Sequence, residues 1–211
     1  MERNIPFADA WKLAEDGQAT IVDVRGPVEF GLGHPPRALS LPYSARGLEG
    51  RLNILLDTGR AIIVLANGSV QIEGSVAQLA DSSFDLLGVL DSSGINLDET
   101  GIPIEKVKEI TISEILNEQY RVLDVREQIE WEMGYIPNSY LLSLGNLREN
   151  IHAIPKDLPI AVICEAGIRS SSAVSLLKAS GFENVVDVPE GTAGCRRDNV
   201  DLILYDERLC Q

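Results

Sequence analysis

The sequence predicts two α/β domains in tandem, each a mostly parallel sheet with helices on both faces. Three observations carry this: the chain repeats itself, its strand-like runs are apolar without alternation, and segments of helical spacing stand between those runs.

The repeat is read directly. "ATIVDVRGPVEFGLGHPP" (Ala19 to Pro36) lies over "YRVLDVREQIEWEMGYIP" (Tyr120 to Pro137), an offset of 124 − 23 = 101. Asp23, Arg25, Glu29, Gly33 and Pro36 then fall on Asp124, Arg126, Glu130, Gly134 and Pro137. Further on, "VLANGSVQ" (Val64 to Gln71) lies over "VICEAGIR" (Val162 to Arg169), an offset of 164 − 66 = 98. Two units of ~100 residues match ordinary domain size. The boundary is expected in "GIPIEKVKEI", giving domains 1–106 and 107–211. Charge divides evenly, 8 − 15 = −7 before that boundary and 10 − 17 = −7 after it, so neither half is a charged tail.

In the first unit "AIIVLA" reads as a buried strand, and the apolar residues of "DSSFDLLGVLDSSG" fit another. In the second, "TISEIL" opens a short helix with a capping-box pair, Thr111 and Glu114. "YRVLDV", "IAVIC" and "NVVDV" read as strands covered on both faces. "EQIEWEM", "LGNLRENIHAI" and "RSSSAVSLLKASG" carry helical spacing, the last closed by Gly181. Trp11 and Trp131 sit at helical spacing and are expected in the core; His34 and His152 are expected in loops or at the surface. Alternating strand and helix imply right-handed crossovers and put ligand sites at the carboxyl ends of strands. Cys164 stands at such an end.

Composition excludes several partners. The net charge of 18 − 32 = −14 repels nucleic acid and anionic membranes. "AIIVLA" is far short of the ~20 apolar residues of a membrane span, and the acidic N-terminus lacks a signal-peptide core, so a cytoplasmic location is expected. Three scattered cysteines, Cys164, Cys195 and Cys210, suit neither a disulfide framework nor a zinc knuckle.

A loop running from a buried strand into a helix turns successive N–H groups toward one point, an anion-binding nest in which a thiolate is stabilised. Gly167 allows positive φ there. Arg169 offers a planar fork of donors to an anionic substrate, and Ser170 a helix cap or a hydrogen bond to the thiolate. A buried cysteine at a strand end also serves packing alone. From these residues both roles for Cys164 stay open.

"VLDVREQIEWEMGYIP" and "CEAGIRS", at their spacing, resemble the amino-terminal signature and the active-site loop of the rhodanese-like sulfurtransferase family. The resemblance covers nearly the whole chain as two tandem rhodanese-like domains, the second much closer to the pattern. It implies that Cys164 takes a sulfane sulfur from thiosulfate, a thiol persulfide or a polysulfide, becomes a persulfide, and passes the outer sulfur to a thiol or cyanide. Arg169 is then catalytic with Cys164; Glu165, Ala166, Gly167, Ile168 and Ser170 bind substrate, and Glu165, Ala166, Gly167, Ile168 and Arg169 supply a cradle of backbone N–H groups. No metal or cofactor is implied. Asp124, Arg126 and Glu130 read as an ionic brace behind the loop, since their counterparts persist beside Ala66, where the nucleophile is missing and the first domain is inactive.

Glu165 departs from the more cationic family loops; pointing into the entrance, it would disfavour dianions such as thiosulfate. "PEGTAGCRRD" replaces a family glycine pair and tryptophan, which puts the closure of the second domain in question and leaves a relay through Cys195 open. The rival class is a non-enzymatic persulfide carrier or docking module working beside an oxidoreductase or persulfide-handling protein. A phosphatase or arsenate reductase is a more distant alternative, since those loops carry five residues between Cys and Arg and this one carries four.

Overall fold

A computed structural model describes residues 4–116 and 120–204, and the chain separates into two compact units, Met1–Val107 and Lys108–Gln211. Val107 goes with the first unit, because its N–H donates to the Gly31 carbonyl and its side chain packs on that unit's core. Cys210 lies outside the described residues. No helix among the described residues is long and apolar enough to cross a membrane.

The first unit runs α1 (Phe7–Glu15), β1 (Thr20–Asp23), α2 (Pro27–Leu32), β2 (Leu39–Ser40), α3 (Leu48–Leu55), β3 (Ala61–Ala66), α4 (Ser69–Leu79) and β4 (Asp85–Asp91). Its strands form one parallel sheet in the order β2-β1-β3-β4. Ile21, Ile63 and Leu65 pack on Ala10 of α1 and Phe30 of α2, while α3 and α4 pack together as a pair.

The second unit runs β5 (Lys108–Glu109), α5 (Ile112–Ile115), β6 (Arg121–Asp124), α6 (Gln128–Trp131), β7 (Tyr140–Leu141), α7 (Leu144–Asn150), β8 (Ile160–Ile163), α8 (Ile168–Ala179), β9 (Val185–Val188) and α9 (Gly191–Arg197). The sheet order is β5-β9-β8-β6-β7, again parallel throughout. On one face Val122, Ala161, Ile163, Val186 and Val188 form a core with Ile112 and Ile115 of α5 and Cys195 of α9. α8 packs on β8 and β9, with α7 beside it. Strand residues buried on both faces explain why these runs are apolar rather than alternating.

Local chemistry accounts for the helix ends. Thr111 and Glu114 close the expected capping box on α5, with the Thr111 N–H donating to Glu114 Oε2 at 2.7 Å. α8 stops at Gly181, whose φ of 84° takes the chain left-handed without a Cβ penalty. α6 is a single turn, shorter than its spacing predicts. Arg126 donates to the Glu130 and Gly134 carbonyls, and Gly134, at φ 116°, leads the chain out of the helix.

His34 corrects the expectation of a surface role. It is buried, stacked on Phe30 at 3.7 Å, with Nδ1 against the Phe30 carbonyl at 2.8 Å. An imidazole that fills a core gap and meets a carbonyl leaves no buried polar atom there uncompensated.

Candidate active site

Cys164 follows β8 directly, and Gly167 caps α8 three residues later with φ 84°. The thiol-bearing residue is buried, 1% exposed, at the foot of the loop. The segment entering α9 supports the loop from below: Thr192 N–H donates to the Cys164 carbonyl at 2.8 Å, and Ala193 N–H to the Glu165 carbonyl at 3.1 Å. A Cβ on Gly191 would lie 2.2 Å from the Glu165 carbonyl oxygen, and one on Gly167 would lie 2.9 Å from the Pro189 oxygen. Two glycines therefore let two backbones meet. The "PEGTAGC" segment thus closes the second unit through α9 even though it lacks the family's tryptophan.

With these carbonyls bonded from outside, the N–H groups of residues 168–170 open α8 and have no intrahelical acceptor, as at every helix start. They carry the positive end of the helix dipole next to Cys164. The strand end, the left-handed Gly167 and the helix start thus follow one another as the sequence predicts.

Arg169 departs from its expected freedom. Its guanidinium is gripped by Glu130, with Nη1 to Oε2 at 2.5 Å and Nη2 to Oε1 at 2.7 Å. That fork holds the Glu130 carboxyl down at about 2 and raises Arg169, to which attraction from Cys164 also contributes. Arg169 is near enough to the cysteine to sense its charge, yet two of its N–H groups face a carboxylate rather than open solvent.

Behind Glu130 stands the brace. Arg126 and Asp124 form a buried pair at 2.7 Å, and Arg126 also donates to the Glu130 carbonyl at 3.3 Å. Arg126 thus sets the α6 turn, Glu130 takes Arg169, and Arg169 fixes the first turn of α8. Sequence reasoning placed Glu130 inside the brace; the structure makes it the link between brace and loop.

Glu165 is engaged by α9. Its carboxylate accepts from Thr192 Oγ1 at 2.7 Å and pairs with Arg196, both on α9. Ser170 corrects its expected cap role: the N-cap is Gly167, and Ser170, inside the first turn, donates back to the Gly167 carbonyl at 3.2 Å and faces Asp187. Cys195 is fully buried in the apolar core on the α5 and α9 face, where burial pushes its thiol up to about 11. Ile168, Ile129 and Met133 are exposed on the loop and on and just beyond α6.

The matching loop of the first unit is internally bonded. Asn67 N–H donates to Gln71 Oε1 at 2.8 Å and Gly68 N–H to Asp91 Oδ1 at 3.1 Å. Glu29, which has no arginine opposite it, takes the Asn67 amide at 2.7 Å instead. The buried brace survives as Arg25 on Asp23 at 2.5 Å and on the Gly33 carbonyl at 2.7 Å.

A family model described as Rhodanese-like domain matches residues 7–93 and again residues 111–197. The chain belongs to the rhodanese-like family.

This tandem rhodanese-like chain is 30% identical over 87 residues to a Mycobacterium tuberculosis protein named probable adenylyltransferase/sulfurtransferase MoeZ, covering 40% of this chain and 22% of MoeZ. It is 32% identical over 88 residues to the thiosulfate sulfurtransferase GlpE of Pseudoalteromonas translucida, covering 40% of this chain and 84% of GlpE. A crystal structure of a rhodanese-related protein from Thermoplasma volcanium aligns with TM-score 0.44 and 34% identity over 46% of this chain and 99% of that one. The chain thus spans under a quarter of MoeZ but most of GlpE. Relatives that carry sulfurtransferase names support a sulfur-transfer role at the level of the family.

Proposed function

We propose that the second unit is a sulfurtransferase working through a Cys164 persulfide. The observation that carries this reading is the placement of Cys164 at the foot of a loop that ends on the unpaired N–H groups of α8. In the first step the Cys164 thiolate attacks the outer sulfur of the donor. The Sγ–S bond forms, the donor's S–S bond breaks, and sulfite or a thiolate leaves with the electron pair. In the second step a thiol or cyanide attacks the outer sulfur and returns the Cys164 thiolate. No external oxidant or reductant enters. Backbone donors of the loop and of the first turn of α8 hold the negative charge in both steps, and Arg169, fixed by Glu130, adds positive charge at the rim.

Burial of Cys164 suits a slender terminal sulfur, and four residues between Cys164 and Arg169 suit a single atom better than a phosphoryl group. The pairing of Glu165 with Arg196 and Thr192 removes the electrostatic objection to thiosulfate, so thiosulfate and persulfides both qualify as donors. Domain one does no chemistry: Ala66 supplies no nucleophile, and its loop donors are bonded internally. A free Cys164 thiol suits the reducing cytoplasm.

The test is intact mass of the reduced chain after thiosulfate or glutathione persulfide, before and after cyanide. A gain of ~32 Da that cyanide removes and Cys164→Ser abolishes is the expected result. No gain with either donor sinks the enzyme reading and favours a partner-docking module beside an oxidoreductase or persulfide-handling protein. The exposed Ile129, Met133 and Ile168 would suit such a partner.

A further inference from the structure

One buried acid has no part in the mechanism above. Asp187 lies on β9, in register with Val162 of β8, two residues before Cys164. Its neighbours Val186 and Val188 enter the core facing α5 and α9, so the pleat turns Asp187 toward the other face, where α8 and Ser170 lie. The residue is 5% exposed, and its Oδ1 has no hydrogen-bond partner.

A carboxylate with an unsatisfied oxygen in an apolar setting carries the full desolvation penalty, whereas a neutral acid carries far less. Burial accordingly pushes the Asp187 carboxyl up to about 7, opposed by Ser170 and the Val188 N–H, with repulsion from Glu109 on β5 adding to the rise. Of the cations on the elements packed on it, Lys108 of β5 is in register with Val186, whose side chain enters the opposite face, and the rest lie on α8. β8 offers apolar residues, and α8 offers Ser170, with Arg169 engaged by Glu130 and Lys178 in the last turn.

Ser170 has one hydroxyl proton and two acceptors, the Gly167 carbonyl at 3.2 Å and Asp187. With Asp187 neutral, its own O–H donates to Ser170 Oγ and the serine proton goes to Gly167. With Asp187 ionised, the charge-assisted bond draws the serine proton away, and the Gly167 carbonyl goes from two donors to one, the Ser171 N–H at 3.1 Å. The Gly167 carbonyl and the Ile168 N–H share one planar peptide, so the direction of a nest donor follows the choice.

We propose that Asp187 is a positioning residue for the Cys164 loop, a buried acid that holds the Gly167–Ile168 peptide through Ser170 when neutral and loosens it when ionised. The effect on catalysis rests on the sulfurtransferase reading; the effect on the loop does not.

The experiment uses the full chain, ¹⁵N-labelled, in a Cys164→Ser background so that no thiol titrates at the loop. The Ile168 amide signal is followed from about pH 5.5 to 8.5, and the rate of persulfide loading is measured over the same range in the Cys164 protein. The expected Ile168 signal shifts with a midpoint near 7, and Asp187→Asn and Ser170→Ala each abolish the shift. Loading falls several-fold across the same interval, relative to thiolate content, and Asp187→Asn removes that fall. An Ile168 signal that does not move, or that moves equally with Asp187→Asn, overturns the proposal. A titrating Ile168 signal without any persulfide leaves Asp187 coupled to the loop and refutes sulfur transfer alone.

Discussion

Replacing Glu130 by glutamine removes the charge that grips Arg169 while keeping the shape of the side chain. The Glu130 carboxyl sits at about 2 instead of 4.5, and each tenfold change in ionisation is worth ~1.4 kcal/mol, which bounds the ionised carboxylate's contribution at ~3 kcal/mol. Both side chains keep nearly 30% of their surface in water, so screening reduces the expected loss to about 1–2 kcal/mol. The sign follows from a folded-state value below the unfolded one: the stabilisation is complete above about pH 4.5 and disappears as pH falls toward 2. Urea unfolding of wild type and Glu130→Gln at pH 7 and near pH 3 should therefore show a gap that narrows in acid. A gap of equal size at both pH values, or none at pH 7, would refute this account. The same substitution frees the Arg169 fork and makes the rim one charge more positive. KM for thiosulfate is expected to fall roughly threefold or more, by the Coulomb attraction gained at low ionic strength. An unchanged or higher KM would show that Glu130 does not compete with an anionic donor.

Two further outcomes follow from the loop's packing. Gly191→Ala puts a methyl 2.2 Å from the Glu165 carbonyl oxygen at φ 61° and is expected to cost ~3 kcal/mol or more and abolish turnover; Gly181→Ala, at φ 84° but in open space, should cost only ~1 kcal/mol in thermal unfolding. Comparable losses at both glycines would mean that contact beneath the loop is unimportant. Cys195, buried and with its thiol pushed up to about 11, should resist iodoacetamide at about pH 8 until the chain is unfolded, and Cys195→Ala should retain turnover; labelling of the folded protein, mapped by peptide mass, would reopen a relay through this residue.

The strands and the Cys164 loop were legible because their signals are local. Uninterrupted Val and Ile mark strands covered on both faces, and the offset of 98 residues set Ala66 against Cys164 without any structure. Partners of charged side chains were not legible. Nothing in the sequence says that Glu130, 39 residues before Arg169, would take its fork, or that Glu165 would turn toward Arg196. Asp187 was hidden for another reason: in "NVVDV" its neighbours mark a buried strand, and only the pleat reveals that the carboxyl faces Ser170. His34 looked like a turn residue from its "GHPP" setting, because a stacking partner four positions earlier is invisible until the α2 turn forms.

The internally bonded loop of the first unit bears on what a cysteine placed there would meet. Ala66→Cys would place a thiol beside an Asn67 N–H held by Gln71 and a Gly68 N–H held by Asp91, with Glu29 turned to Asn67 where its counterpart holds an arginine. Each of those contacts stabilises the loop as it stands, so each change that frees a loop donor would first break a bond. A cysteine at position 66 alone would therefore sit in a loop whose donors are already taken, and opening that loop would require several substitutions at once.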